Sequence, residues 1–207
     1  MANIRKVKQK SFNIIRKLLA KLKSLNLNNY YFECSVILMN AILRGSILYS
    51  ADMYYNLKET EIRQIERIEE IYMRKILNTT KGCPIASLYL ALGQTPARFE
   101  ITKMRLLYLK YILEQPKESS VQRVLRLQEE NPKKGDWFSL CQNDMKNLKL
   151  KLTFEEIKIM KKNRYKEILK LKVKEAALDY LLTLFRGGGK NAFGHLLRYR
   201  NIARTIR

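Results

Sequence analysis

Apolar residues recur at steps of three and four along much of this chain. Phe12, Ile15, Leu18, Leu19, Leu22 and Leu25 follow that spacing, which predicts an amphipathic helix over 11–25. Ser11 is placed to cap its start, and the opposite face carries Arg16, Lys17, Lys21 and Lys23. Residues 29–55 are apolar on most sides, with small residues at Ala41, Gly45, Ser46 and Ala51. A second, mostly buried helix is expected there, open to close approach by another helix and with Gly45 as a candidate bend. The clearest pattern is ETEIRQIERIEEIYMRKILN (59–78), where Ile62, Ile65, Ile68, Tyr72 and Ile76 trace one stripe. Acids lead and Arg74 and Lys75 trail, as the helix dipole favours, and Glu59–Arg63 and Glu70–Arg74 are four-residue charge pairs.

Punctuation marks the remaining elements. In CPIASLYLALG (83–93), Pro84 suits a first helical position and Gly93 a C-terminal cap. In TPARFEITKMRLLYLKYILEQP (95–116), Thr95 suits the cap, Pro96 the first turn and Pro116 the stop. LLYLKYIL (106–113) is apolar nearly all round and reads as central. Ser119 or Ser120 opens a helix to about Glu130, which Asn131-Pro132 breaks. Gly135 supplies positive φ, Asp136 caps, and Trp137 takes the first helical position; its packing against long helices is preferred over base stacking. Thr153 and Glu156 form a capping box, and Asn163 caps a long helix that Gly187-Gly188-Gly189 ends. Strand alternation, a fixed-period repeat and low-complexity blocks are all missing. The expected fold is all-α, an irregular multi-helix bundle with a basic, loosely ordered C-terminal tail. A soft boundary is placed near 116–120 or 131–136.

Charge changes this picture most. The 207 residues hold 41 Lys and Arg against 19 acids, a formal charge of +22, which points to a polyanionic partner. Residues 1–25 carry eight basic residues and no acid. Residues 146–174 carry eleven Lys or Arg against three Glu, and the tail 187–207 five against none. Three separated cysteines, Cys34, Cys83 and Cys141, form no disulfide framework and fit a reducing compartment. The basic N-terminus leads into no signal-peptide core. The most apolar run, CSVILMNAIL, has too few residues to span a bilayer. An intracellular protein, nuclear or cytoplasmic and without a membrane partner, is expected.

The residues of a metal-dependent or nucleophilic active site do not assemble in the sequence. Two-metal chemistry needs carboxylates that bridge ions about 4 Å apart, yet Asp52, Asp136, Asp144 and Asp179 are dispersed. Glu69-Glu70 and Glu155-Glu156 read as solvated helix-surface pairs. The single His195 has no partner residues nearby, and GGGK (187–190) lacks the spacing of a phosphate loop. No catalytic residue, metal ligand or cofactor is expected, and the chain reads as a non-enzyme.

Several ordered blocks carry a resemblance. They are ILYSADMYYNLKETEIRQIERIEEIYMRKIL (47–77), LYLALGQTPARFEITKMRLLYLKYIL (88–113), LQEENPKKGDWFSL (127–140), LTFEEIKIMKKNRYKEILK (152–170) and KEAALDYLL (174–182). Together they resemble the region that follows the polymerase palm in non-LTR, LINE-like retrotransposon reverse transcriptases, over roughly 10–183. The resemblance implies a thumb-like bundle over 1–117, a linker-like helical region over 118–186 and a basic tail over 187–207. It also implies that helices near the N-terminus hold a template–primer, an RNA or RNA/DNA duplex, by its backbone. Lys8, Lys10, Arg16, Lys17, Lys21 and Lys23 are then the local candidates. Lys133 and Lys134 project from the turn before Trp137 as further phosphate contacts.

The departures are equally specific. Palm, fingers and the catalytic Asp-Asp are missing, no Cys/His knuckle follows, Ala91 stands where the family usually has Glu, and the tail leaves the pattern. A truncated element product that binds nucleic acid without catalysis is the expectation. The alternatives are a helical protein-interaction module or a relic with no maintained activity.

Overall fold

The computed structural model describes residues 4–25, 30–49, 57–133 and 135–187, and side-chain environments are described from residue 9 to 186 within these. Among the described residues there are helices and turns but no strand. Helix α1 spans Ile4–Ser24. Helix α2 is continuous through Tyr31–Leu38, a π-helical stretch Met39–Arg44, and Gly45–Ile47. Then follow α3 (Glu59–Ile76), α4 (Ile85–Ala91), α5 (Ala97–Glu114), α6 (Ser120–Glu130), α7 (Trp137–Asn147), α8 (Phe154–Ile159) and α9 (Lys162–Gly187). The chain is all-α, as its periodicity predicts.

Two compact units share these helices. The first holds the described residues up to Tyr49, Lys58–Ala97 and 179–187; the second holds Leu57 and Arg98–Leu178. In the first, α1 packs on α3 and α2, and α3 packs on α4. Ile15, Leu18 and Leu22 are buried, as are Ile65, Ile68, Tyr72 and Ile76 of the α3 stripe. In the second, Leu106, Leu109, Ile112 and Leu113 of α5 form one core with Leu125, Phe138, Cys141, Met145, Ile157, Tyr165 and Leu169.

A buried ion pair organises the first unit. In a π turn, residues five apart share a face, so Met39 and Arg44 both point inward. Arg44 Nε donates to Glu69 Oε1 at 2.7 Å. The other guanidinium nitrogens reach Asn40, Gln94 and the Thr95 carbonyl. Glu69 Oε2 accepts from the Tyr89 hydroxyl at 2.7 Å and from the Ala97 amide at 3.2 Å. Desolvation raises the Glu69 carboxyl pKa, opposed by the Arg44 charge and by the hydrogen bonds from Tyr89 and Arg44. Burial, then the adjacent Glu69 charge, pushes the Tyr89 phenol well above its ordinary range, so it stays a neutral donor. Glu69 is therefore no solvated surface acid, a correction to the reading of Glu69-Glu70. Its neighbour Glu70 does pair locally, with Arg74 at 2.8 Å.

The second unit buries a lysine. Lys110, 2% exposed on α5, donates to the carbonyls of Ile157 and Met160 at 2.7 and 2.6 Å. It also pairs with Glu114 at 3.0 Å. These carbonyls lie at the end of α8, a six-residue helix whose last four carbonyls have no partner within the helix. The cation thus serves as a C-terminal cap delivered from another helix.

Among the described residues, three helices end in Schellman turns. After α4, Gly93 has φ +60° and Gln94 N bonds Tyr89 O at 2.8 Å. After α3, Asn78 takes φ +49° and Thr79 N bonds Arg74 O at 3.0 Å. After α7, Lys149 takes φ +51° and Leu150 N bonds Met145 O at 2.9 Å.

Several boundaries differ from expectation. Ser11 does not cap α1: it lies inside the helix, 1% exposed, because the good helix formers upstream extend it to Ile4. Pro84 sits at the cap rather than the first helical position, α5 begins at Ala97, and Lys162 rather than Asn163 opens α9. Helix α2 is not mostly buried over its described part. Ile37 and Ile42 are 63% and 43% exposed, and a Cβ placed at Gly45 would meet nothing within 4 Å. Residues 29 and 50–55 of that expected helix, and the glycines beyond 187, lie outside the described residues.

Two stability outcomes follow. Lys149→Gly relieves left-handed backbone and should raise unfolding free energy by about 0.5–1 kcal/mol in urea titrations; a loss would show that Lys149 bears no such cost. Glu69→Gln leaves Arg44 as an unpaired buried charge and should cost about 3–5 kcal/mol, while Arg44→Met with Glu69→Leu should recover much of that loss. Equal losses in single and double variants would contradict the pairing.

Candidate nucleic-acid interface

Helix α1 joins an apolar and a cationic face because its sequence separates them at 3.6-residue spacing. Burial of Ile15, Leu18 and Leu22, the last only 1% exposed, fixes the rotation of the helix. Each such side chain contributes about 1.5–3 kcal/mol. Lys10, Arg16, Lys17, Lys21 and Lys23 are consequently all exposed. At 100° per residue, Lys10, Lys17 and Lys21 form one row and Arg16 and Lys23 a second, with polar Asn13 and Ala20 between them. Along the first row the rise is about 10 Å and then about 6 Å. No acid lies on the helix. This is a two-rowed cationic face on a rigid support, suited to phosphates rather than to base edges. Lys8 is on α1, but its side chain lies outside the described residues, and so does Lys134.

Lys133 is exposed and belongs to the second unit. Its backbone is held firmly: the Lys133 amide donates to Asp136 Oδ2 at 2.8 Å, and its carbonyl accepts from Ser139 Oγ at 3.1 Å. Asp136 also accepts from the Ser139 amide at 2.7 Å, capping α7 as the sequence predicts. Gly135 takes φ +88° in the same turn. Trp137 opens α7 and packs against the second unit's core, edge-on to Tyr108 with ring centroids 5.8 Å apart. The tryptophan is an anchor.

The second basic zone lines an open cleft of about 670 Å³ in the second unit. Lys146, Lys149 and Lys151 rim it, Met145, Leu150, Leu152 and Phe154 form its apolar part, and Glu129 and Glu155 face it. The charge count of 146–174 signals this zone. The cleft itself depends on the Schellman turn at Lys149, which no glycine announces.

Asp144 and Cys141 have structural surroundings. Asp144 bonds Thr102 and pairs with Arg105 at 2.5 Å; desolvation raises its carboxyl pKa, opposed by the Arg105 charge. Burial pushes the Cys141 thiol far above its ordinary range, away from thiolate reactivity. Among the described residues no three His, Cys, Asp or Glu side chains gather as a metal site. No described helix is long and apolar enough to cross a membrane. Asp52 and His195 lie outside the described residues. Compared with known proteins, the chain matches no family model, no curated protein and no solved structure.

An anchoring tryptophan has a measurable signature. Trp137→Phe, which keeps an aromatic edge contact, should change stability by less than about 1 kcal/mol, whereas Trp137→Ala should cost about 2 kcal/mol or more in denaturant titrations. A neutral Trp137→Ala would contradict the packing role.

Proposed function

We propose that this protein is a non-catalytic nucleic-acid-binding segment that grips the backbone of an RNA or RNA/DNA duplex, as a reverse-transcriptase thumb does. The observation that carries the reading is α1. Five exposed cations lie in two rows along one helix with no acid to balance them, and the helix is clamped by its buried face. Such a face meets a polyanion at no conformational cost to the backbone, and it reads charge rather than sequence. The ordered blocks that resemble the region after the palm of non-LTR retrotransposon reverse transcriptases support the same reading. On this reading the segment supplies grip and register, and the chemistry of polymerisation belongs to the palm.

A second reading rests on α2. Ile37 and Ile42 on that helix, and Tyr30 and Tyr49 beside its two ends, are exposed at 63%, 43%, 66% and 76%. That apolar surface suits a helical module that docks a protein.

Salt dependence separates the two. Neutralising about five phosphates gives a slope near −4.5 in log K against log salt, a loss of two to three orders of magnitude between roughly 50 and 200 mM. Replacing Arg16, Lys17, Lys21 and Lys23 together by glutamine should reduce that slope by about 3 to 4 while leaving helicity by circular dichroism unchanged. Failure of the native chain to bind a blunt RNA/DNA duplex at low salt would sink the proposal.

A further inference from the structure

A ladder of aromatic rings crosses the second unit and ends in solvent. Trp137 lies edge-on to Tyr108, and Tyr108 stacks on Tyr111 with centroids 5.7 Å apart and planes inclined by 16°. The inner two rings pack on the core. Tyr111 is 51% exposed, although it sits inside LLYLKYIL, where the sequence reads as buried on every side. Its neighbours in that run explain the placement: Lys110, Ile112 and Leu113 all turn inward, and Lys110 is fixed by the carbonyls that end α8. Helix α5 therefore has no rotational freedom to hide Tyr111.

We infer that the Tyr111–Tyr108 stack is a platform for an unpaired base of single-stranded nucleic acid. This rests on the nucleic-acid reading above, extended to a site in the second unit that uses rings in place of α1's charges. Three features favour it. Tyr111 is held by its stack on Tyr108, so little side-chain freedom is lost when a base covers it. Bases of every kind present a π face, so such a platform needs no sequence. Cations follow in the same unit: Lys117 and Arg126 are both exposed, and the Arg126 guanidinium donates to the Lys117 carbonyl in the turn just after α5. Glu114, the nearest acid on α5, is engaged by Lys110.

The sole tryptophan makes binding readable, because Trp137 contacts Tyr108 and reports on the ladder by fluorescence. The full chain would be titrated with a twelve-nucleotide oligouridylate, an abasic oligomer of equal length, a blunt RNA/DNA duplex and an acidic peptide. Tyr111→Ala should weaken oligouridylate binding about five- to tenfold, as loss of one stacked base does. Tyr111→Phe should retain it, and abasic and duplex binding should not move. The α1 quadruple variant should weaken the duplex far more than the oligouridylate. The platform is overturned by an unchanged oligouridylate affinity in Tyr111→Ala, by an equal loss on the abasic oligomer, or by Tyr111-dependent binding of the acidic peptide alone. If the native chain binds oligouridylate through Tyr111 but no duplex, the duplex-grip reading fails and the platform stands. If it binds neither, both fail.

Discussion

The Glu69 carboxylate is the constraint on which the first unit depends. A carboxylate without access to water is tolerable only when every lone pair meets a donor. Here the donors come from separate segments: Arg44 from the π turn of α2, Tyr89 from α4 and the Ala97 amide from the start of α5. Each segment must keep its register or leave a charge uncompensated. The π turn follows from this demand. It brings Arg44 inward beside Met39 and Leu43, where the hydrophobic rows alone would have set only apolar residues. Such a network adds little net energy over an apolar replacement; what it supplies is a single arrangement of helices. Lys110 plays the corresponding part in the second unit, tying α5 to the carbonyls that end α8.

What the sequence shows of this fold divides along physical lines. Features decided within a few residues are legible: the α3 stripe, the Ser119, Asp136 and Thr153 caps, the Thr153–Glu156 box and the glycines at 93 and 135. Features decided by distant partners are not. Glu69 and Glu70 look alike as helix acids, and only Arg44 and Tyr89, folded alongside, make one of them a buried ion. Lys110 looks like the one polar interruption of an apolar run until the end of α8 arrives beside it. Lys149 enters left-handed backbone because the Schellman hydrogen bonds outweigh a local cost of roughly 1 kcal/mol, and local propensity argues against it, whereas asparagine at 78 tolerates that conformation.

The candidate surfaces follow the same division. The cationic face of α1 is legible because eight cations without an acid leave a helix only one way to turn: apolar side inward. The aromatic surface is not. A lone tryptophan after a lysine-rich turn draws the eye as a stacking residue, but its size makes it the better anchor, and it is packed against the core. The exposed ring of that ladder is Tyr111, in the middle of a run that is apolar nearly all round.

Acids and cations are used differently in this molecule, and that difference bears on the proposed polyanionic partner more than the net charge does. Acids go into the architecture. Asp136 and Glu156 cap helices, Asp144 holds Arg105, Glu69 holds Arg44, and Glu114 meets Lys110. Hydrogen bonds from the Thr153 amide and hydroxyl hold the Glu156 carboxyl below its usual range, as befits an ionised cap. Most of these pairings bind acids to backbone amides or to buried cations, and leave the exposed lysines of α1 without an acid on their own helix. No acid on α1 itself offsets the positive field at that face, and folding gains nothing from it, since like charges on one helix repel. On the function proposed above, a polyanion with regularly spaced charges offsets that repulsion on binding, so the cost to the fold is met from outside the chain.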